Sequence, residues 1–293
     1  MEWGRLLTAT VTPFDKEGNI DFSQVSKLAN YLLDNGSEGI VVSGTTGESP
    51  TLSSDEKLKL FAAVKETVGG RGAVLAATGG NSTQQSVELT KKTAGLGLDG
   101  IMLVSPYYNK PSQEGLYQHF ATIAESTDLP ILIYNIPGRT GINIELSTLL
   151  RLSKVANIKA VKEASGNMSQ IADTIAQVPE GFKVYSGDDL LALPVLCMGG
   201  YGLISVTAHI VGNDLSRMFK AYLSGDVALA ASLHNKMVPI VKAMFSVTNP
   251  TPVKYALNRM GHEVGGTRLP LVELNDKECE DVDAALVNYG LIH

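Results

Sequence analysis

Ile158-Lys159-Ala160-Val161-Lys162-Glu163-Ala164 is a short, mostly apolar, strand-like run with a cation near its end. Alternation along a strand puts Ile158, Ala160 and Lys162 on one face, so Lys162 points where small apolar residues point. Desolvation there disfavours the ammonium form. A free lysine titrates at about 10.4, and an interior site that lowers this by several units leaves a neutral amine able to form a Schiff base with a carbonyl. The same residues also fit a surface lysine on a frayed strand end. The rest of the chain has to decide.

Runs of this kind recur at 6–11, 39–43, 73–77, 100–104, 131–135, 158–162, 183–186 and 202–206. Each is followed by a polar, helix-patterned segment, the pattern of βα units building a parallel sheet. Eight such strands predict an α/β fold of the (β/α)8 TIM barrel type, and 293 residues suit one barrel with an extension. Ser23, Ser53 with Glu56 three residues on, Ser82 and Ser112 read as helix N-caps. Pro13, Pro50, Pro106, Pro137 and Pro194 fall just past strands or near helix starts, where a missing N–H is tolerated. After Val206 the apolar period turns helical through Leu215, Met218, Phe219 and Tyr222, again over 233–245, and at the last residues. The expected division is a catalytic barrel over 1–225 and a C-terminal helical domain over 226–293.

Composition excludes several classes. Hydrophobic residues make up 44% and charged residues 18%, with no low-complexity tract, so the chain is globular. A net charge of -6 without a Lys/Arg cluster argues against nucleic acid or an anionic membrane as partner. Cys197 and Cys279 stand far apart with no CxxC or nearby histidine, which suggests inert thiols rather than a disulfide or zinc site. The start Met1-Glu2-Trp3-Gly4-Arg5 has no basic and apolar leader pattern, and no run of about 18 apolar residues occurs, so a cytoplasmic location is expected. Gly95-Leu96-Gly97-Leu98-Asp99-Gly100 matches GxGxxG but precedes a strand, so it reads as a turn and not a dinucleotide site. His119, His209, His234, His262 and His293 show no metal spacing and receive no catalytic role; His119, after Tyr117 on a helix-like stretch, is expected at a surface or interface.

In a parallel barrel the strand C-termini open onto one face, where catalytic groups gather. Strand two ends in Gly44-Thr45-Thr46-Gly47-Glu48-Ser49, a turn whose hydroxyls and N–H groups can grip a carboxylate. Strand four ends in Ser105-Pro106-Tyr107-Tyr108-Asn109 and strand five in Tyr134-Asn135-Ile136-Pro137-Gly138-Arg139-Thr140-Gly141. Each tyrosine alone fits a core-boundary residue with a wet tip. Together with Lys162 they supply a nucleophilic amine, phenols that relay protons and a guanidinium for a carboxylate, a set coherent with imine chemistry on an oxo acid. Glu48 and Glu163 read as carboxylates that tie loops.

These same segments, Gly44-Thr45-Thr46-Gly47-Glu48, the stretch from Tyr134 to Gly141 and Val161-Lys162-Glu163, resemble the dihydrodipicolinate synthase branch of the pyruvate-dependent class I aldolase superfamily. The resemblance runs essentially end to end. It implies a homotetramer built as a dimer of dimers, no cofactor beyond a covalent imine on Lys162, and two small substrates, pyruvate and L-aspartate 4-semialdehyde. It also implies that Tyr134 is the general acid/base, that Thr45 links it to a Tyr108 from the neighbouring subunit, and that Thr45 and Thr46 hold the pyruvate carboxylate while the backbone of Ile204 closes the pocket. Arg139 takes the carboxylate of the aldehyde in that scheme. Members inhibited by lysine carry a cleft to which Ser49, Asn81 and Tyr107 correspond. Where those members present histidine and an acid, this chain has Ser54, Lys57 and Gln85, so weak or absent inhibition is expected.

Two competing functions differ in what they need. A sugar-acid aldolase of the same superfamily requires hydroxyl-binding groups where Arg139 stands, and usually replaces the first threonine, here Thr45. A non-catalytic oxo-acid-binding barrel has no use for a nucleophile with a proton relay.

Overall fold

The computed structural model describes residues 3–293; Met1 and Glu2, part of the N-terminal stretch read above for a leader, lie outside the described residues. Eight parallel strands close into a barrel in sequence order. They are β1 Leu6–Ala9, β2 Gly39–Val42, β3 Ala73–Ala77, β4 Gly100–Val104, β5 Ile131–Asn135, β6 Ile158–Glu163, β7 Lys183–Ser186 and β8 Gly202–Ser205. The outer ring holds α1 Phe22–Asp34, α2 Ser54–Val68, α3 Thr83–Lys92, α4 Gln113–Ala124, α5 Pro137–Thr140, α6 Leu146–Leu152, α7 Met168–Gln177, α8 Ala192–Cys197 and α9 Ala208–Leu223. Beyond it come α10 Val227–Met244, α11 Thr251–Arg259 and α12 Asp276–Tyr289.

Two layers of apolar packing follow from the alternation of each strand. Leu7, Val41, Leu75, Leu132, Ala160 and Ile204 fill the barrel interior. Residues of opposite parity, such as Ile131, Ile133 and Val161, face the helices. Apolar residues of α9 to α12 pack in one continuous cluster with α1, α2 and the outer faces of β1 to β3.

The deciding strand departs from simple alternation. Ile131 pairs with Ile158 but Leu132 pairs with Ala160, so Lys159 is an extra residue, a β-bulge. Ile158 therefore packs outward with Ile131 and Val161, not on the face of Ala160 and Lys162. Lys159 is exposed. The bulge corrects the expected face of Ile158 while leaving Lys162 inward.

Local caps follow the sequence at three of four places. Ser53 with Glu56 forms a capping box, and Ser82 and Ser112 each accept from a first-turn N–H. At α1 the cap is Asp21, not Ser23: its carboxylate accepts from Ser23 N and Gln24 N, a stronger, charge-assisted bond than a hydroxyl offers. Cys197 and Cys279 are free thiols. No helix among the described residues is long and apolar enough to cross a membrane.

Candidate active site

Lys162 is 4% exposed near the C-terminal end of β6, with Tyr134 of β5 and Tyr185 of β7 as its register neighbours. Its Nζ lies 4.3 Å from the centroid of the Tyr134 ring. Burial pulls the ammonium down from the ordinary lysine value to about 8; the Asp189 carboxylate raises it and the Arg139 cation lowers it. A useful fraction of the amine is thus neutral near physiological pH. Gly187, just past β7, makes room for this side chain, since a Cβ there would stand 3.0 Å from Lys162 Cε and 2.8 Å from Ala164 Cβ.

Tyr134 is equally buried, at 4%. Burial pushes its phenol up to about 12, while the Arg139 cation and the nearby Thr45 side chain lower it. The group stays protonated at neutral pH and can donate to a developing alkoxide.

Thr45 and Thr46 sit in the tight turn after β2, where Gly47 N donates to Gly44 O and Glu48 N donates to Thr45 O. Thr46 is 2% exposed and its hydroxyl accepts from Asn249 Nδ2 at 2.9 Å. Glu48 closes the turn in the left-handed region, at φ 55, with its carboxylate bound by Lys254 Nζ at 2.9 Å and Arg268 N at 2.8 Å. It is a tying carboxylate, as the sequence suggested. Glu163 does the same for β6, accepting from Asn135 Nδ2 and Ser165 N.

A cavity of ≈ 680 Å³ opens at this end of the barrel. Thr45, Tyr134 and Arg139 line it, together with Ser54, Lys57 and Gln85. Arg139 is an exposed residue on the short helix α5. Lys162, Thr46 and Ile204 are buried beside this lining rather than part of it, Ile204 on β8 against Leu7 of β1. Tyr108 is not brought into the cavity: it follows β4 with φ 74 and is 89% exposed.

His119, expected at a surface or interface, is not at the surface of the chain. It is 4% exposed in α4, with Nδ1 2.9 Å from Thr83 Oγ1 of α3, and burial lowers its pKa to about 4. Sequence reading also passed over Asp189, whose carboxylate accepts from the Ser205 and Thr207 hydroxyls and from Val206 N and Thr207 N at 3.2 Å. The paired acids Asp188-Asp189 just past β7 were the available signal. Asn249 and Lys254 had none, being remote in sequence from every motif.

A (β/α)8 barrel with a desolvated lysine on β6, a buried tyrosine beside it on β5 and an arginine following that strand has the make-up of an imine-forming lyase. A profile of the dihydrodipicolinate synthetase family matches residues 2–288. The chain belongs to that family. It is 54% identical over 292 residues, covering 100% of both chains, to a protein of Moorella thermoacetica named 4-hydroxy-tetrahydrodipicolinate synthase. Among solved structures, dihydrodipicolinate synthase of Bacillus anthracis superposes with a TM-score of 0.96 at 47% identity, over 98% of each chain. The enzyme of Cyanidioschyzon merolae, solved with lysine bound, gives 0.97 at 44% identity, over 99% of each.

Proposed function

We propose that this chain is a lyase that condenses pyruvate with L-aspartate 4-semialdehyde to 4-hydroxy-tetrahydrodipicolinate, in the diaminopimelate route to lysine. The observation that carries the reading is the buried Lys162 amine, pulled down to about 8, with its Nζ 4.3 Å from the centroid of the Tyr134 ring. The Lys162 amine adds to the pyruvate carbonyl and water leaves, giving an imine. Loss of a methyl proton gives the enamine, whose carbon attacks the aldehyde, and Tyr134 passes a proton to the resulting alkoxide. The amine of the second substrate then attacks the imine carbon, closes the ring and frees Lys162. No metal or organic cofactor enters this scheme.

In this reading the turn at Thr45 and Thr46 holds the pyruvate carboxylate, the Ile204 backbone borders it, and Arg139 takes the carboxylate of the aldehyde. Tyr108, 89% exposed in one chain, extends the Thr45–Tyr134 relay in a second copy, so the working unit is a tight dimer, paired again into a tetramer. Residues 1–225 form the catalytic barrel and 226–293 a helical domain, in a cytoplasmic enzyme.

Consumption of the aldehyde, read through an NADPH-dependent reductase of the product, tests the activity. Pyruvate-dependent turnover is expected. A protein that forms a borohydride-trapped pyruvate adduct yet shows no such turnover would instead act on a sugar acid. The dimer is tested by mixing Y108F with K162A: each is weak alone, and a mixed dimer regains one complete site. No regain under subunit exchange would place Tyr108 outside the partner's chemistry.

A further inference from the structure

We infer that Asn249, from the linker between α10 and α11, is a positioning residue for pyruvate: it fixes the Thr46 hydroxyl so that its single proton faces the substrate carboxylate. This rests on the proposed role of Thr46 above. A threonine hydroxyl has one proton to donate and lone pairs that accept. Asn249 Nδ2 donates to Thr46 Oγ1 at 2.9 Å, so a lone pair is occupied from the C-terminal side and the proton is left for another acceptor. Both residues are buried, at 4% and 2% exposure, where an unpaired hydroxyl is costly and its rotor is held by its one neighbour. With the amide reversed, Thr46 would spend its proton on Asn249 and meet an anion with lone pairs alone.

The placement of Asn249 is built into the fold. Five residues on, Lys254 of α11 reaches the same β2 turn, with Nζ 2.9 Å from Glu48 Oε1, and Arg268 N binds the other oxygen of Glu48 at 2.8 Å. The C-terminal segment thus grips the turn at two points, Thr46 and Glu48. Only the Asn249 contact bears on a group that touches substrate. Asn249 Oδ1 has no hydrogen-bond partner, so the Nδ2 donor is the side of the amide that its surroundings engage. A hydrogen bond from a neutral hydroxyl to a carboxylate, lost or misdirected, corresponds to about a tenfold change in affinity.

Steady-state kinetics on the full-length enzyme tests this. Asn249→Ala is expected to raise the KM for pyruvate about tenfold, with kcat and the KM for the aldehyde little changed. Asn249→Asp, which keeps the shape and when ionised can only accept, raises the pyruvate KM at least as far. In the Thr46→Val background neither substitution has a further effect, because the hydroxyl they act through is gone. A pyruvate KM unchanged in both single variants, a loss confined to kcat, or additive effects with Thr46→Val would overturn the inference while leaving the proposed function intact. A wild-type chain that traps no pyruvate with borohydride would overturn the proposed function and this inference with it.

Discussion

In the proposed reaction Lys162 sets the chemistry, and its behaviour with pH follows from its surroundings. The reactive form is the neutral amine, and the ammonium titrates at about 8. For pyruvate, kcat/KM reports the free enzyme, so it is expected to climb with pH and level off above about 8. Asp189 holds the proton on Lys162, so Asp189→Asn moves this limb toward acid pH. Arg139 repels that proton, so Arg139→Met moves it toward alkaline pH and also raises the KM for the aldehyde. A pH-rate profile of the two variants that shifts the opposite way contradicts the assignment of these charges. That Lys162, Tyr134, Thr45 and Arg139 gather at one end of the barrel was legible, because each stands at or just past the end of a predicted strand, and strand ends share one face of a barrel. Asp189 also stands just past a strand, in the Asp188-Asp189 pair, and was passed over; Asn249 carried no signal, since it reaches Thr46 across many residues of chain.

At the scale of elements, β5 and β6 keep Tyr134 beside Lys162. Their ends are pinned by Asn135, whose Nδ2 donates to Glu163 and to Asn143 Oδ1 and whose Oδ1 accepts from Ile144 N. Asn135→Ala leaves the Ile144 N–H and part of the Glu163 carboxylate unsatisfied in the interior, a cost of about 1–3 kcal/mol. A lowered urea midpoint together with a reduced kcat is expected; unchanged values of both would mean the pin is dispensable. The strands themselves could be read within a residue or two because β-branched runs alternate with helical period. The bulge at Lys159 could not. An extra residue in a strand leaves no mark in composition, and only pairing with β5 shows Ile158 facing outward. The α1 cap was misplaced for a related reason: Asp21 and Ser23 are both cap residues, and only geometry chooses between them.

Across the whole molecule, one buried ion pair joins the C-terminal helices to the turn after β2. Glu48 and Lys254 have side chains 1% and 2% exposed, 2.9 Å apart. Burial brings the Lys254 ammonium down to about 8, against the pull of Glu48, which raises it. Glu48→Gln strands that ammonium, and a loss of about 3–5 kcal/mol is expected in chemical denaturation, largely recovered in Glu48→Gln with Lys254→Met. Equal destabilisation of the single and double variants would show that packing, not the charge pair, holds the joint. Regulation belongs at this scale too. Lys57 lines the cavity half-buried, and a lysine ammonium entering there meets a like charge, which burial weakens only by lowering the Lys57 pKa. Inhibition by lysine is expected to be weak or absent, and full inhibition at sub-millimolar lysine would sink that expectation. The barrel was legible from eight repeated βα units, and Glu48 as a tying carboxylate; its partner Lys254 was not, because it lies in no motif and far along the chain.

The most direct test is to reduce the protein with borohydride in the presence of pyruvate and map the adduct by peptide mass spectrometry. The account predicts one pyruvate-derived adduct, on Lys162, abolished in Lys162→Ala. An adduct on another lysine, or one that persists in Lys162→Ala, would contradict it.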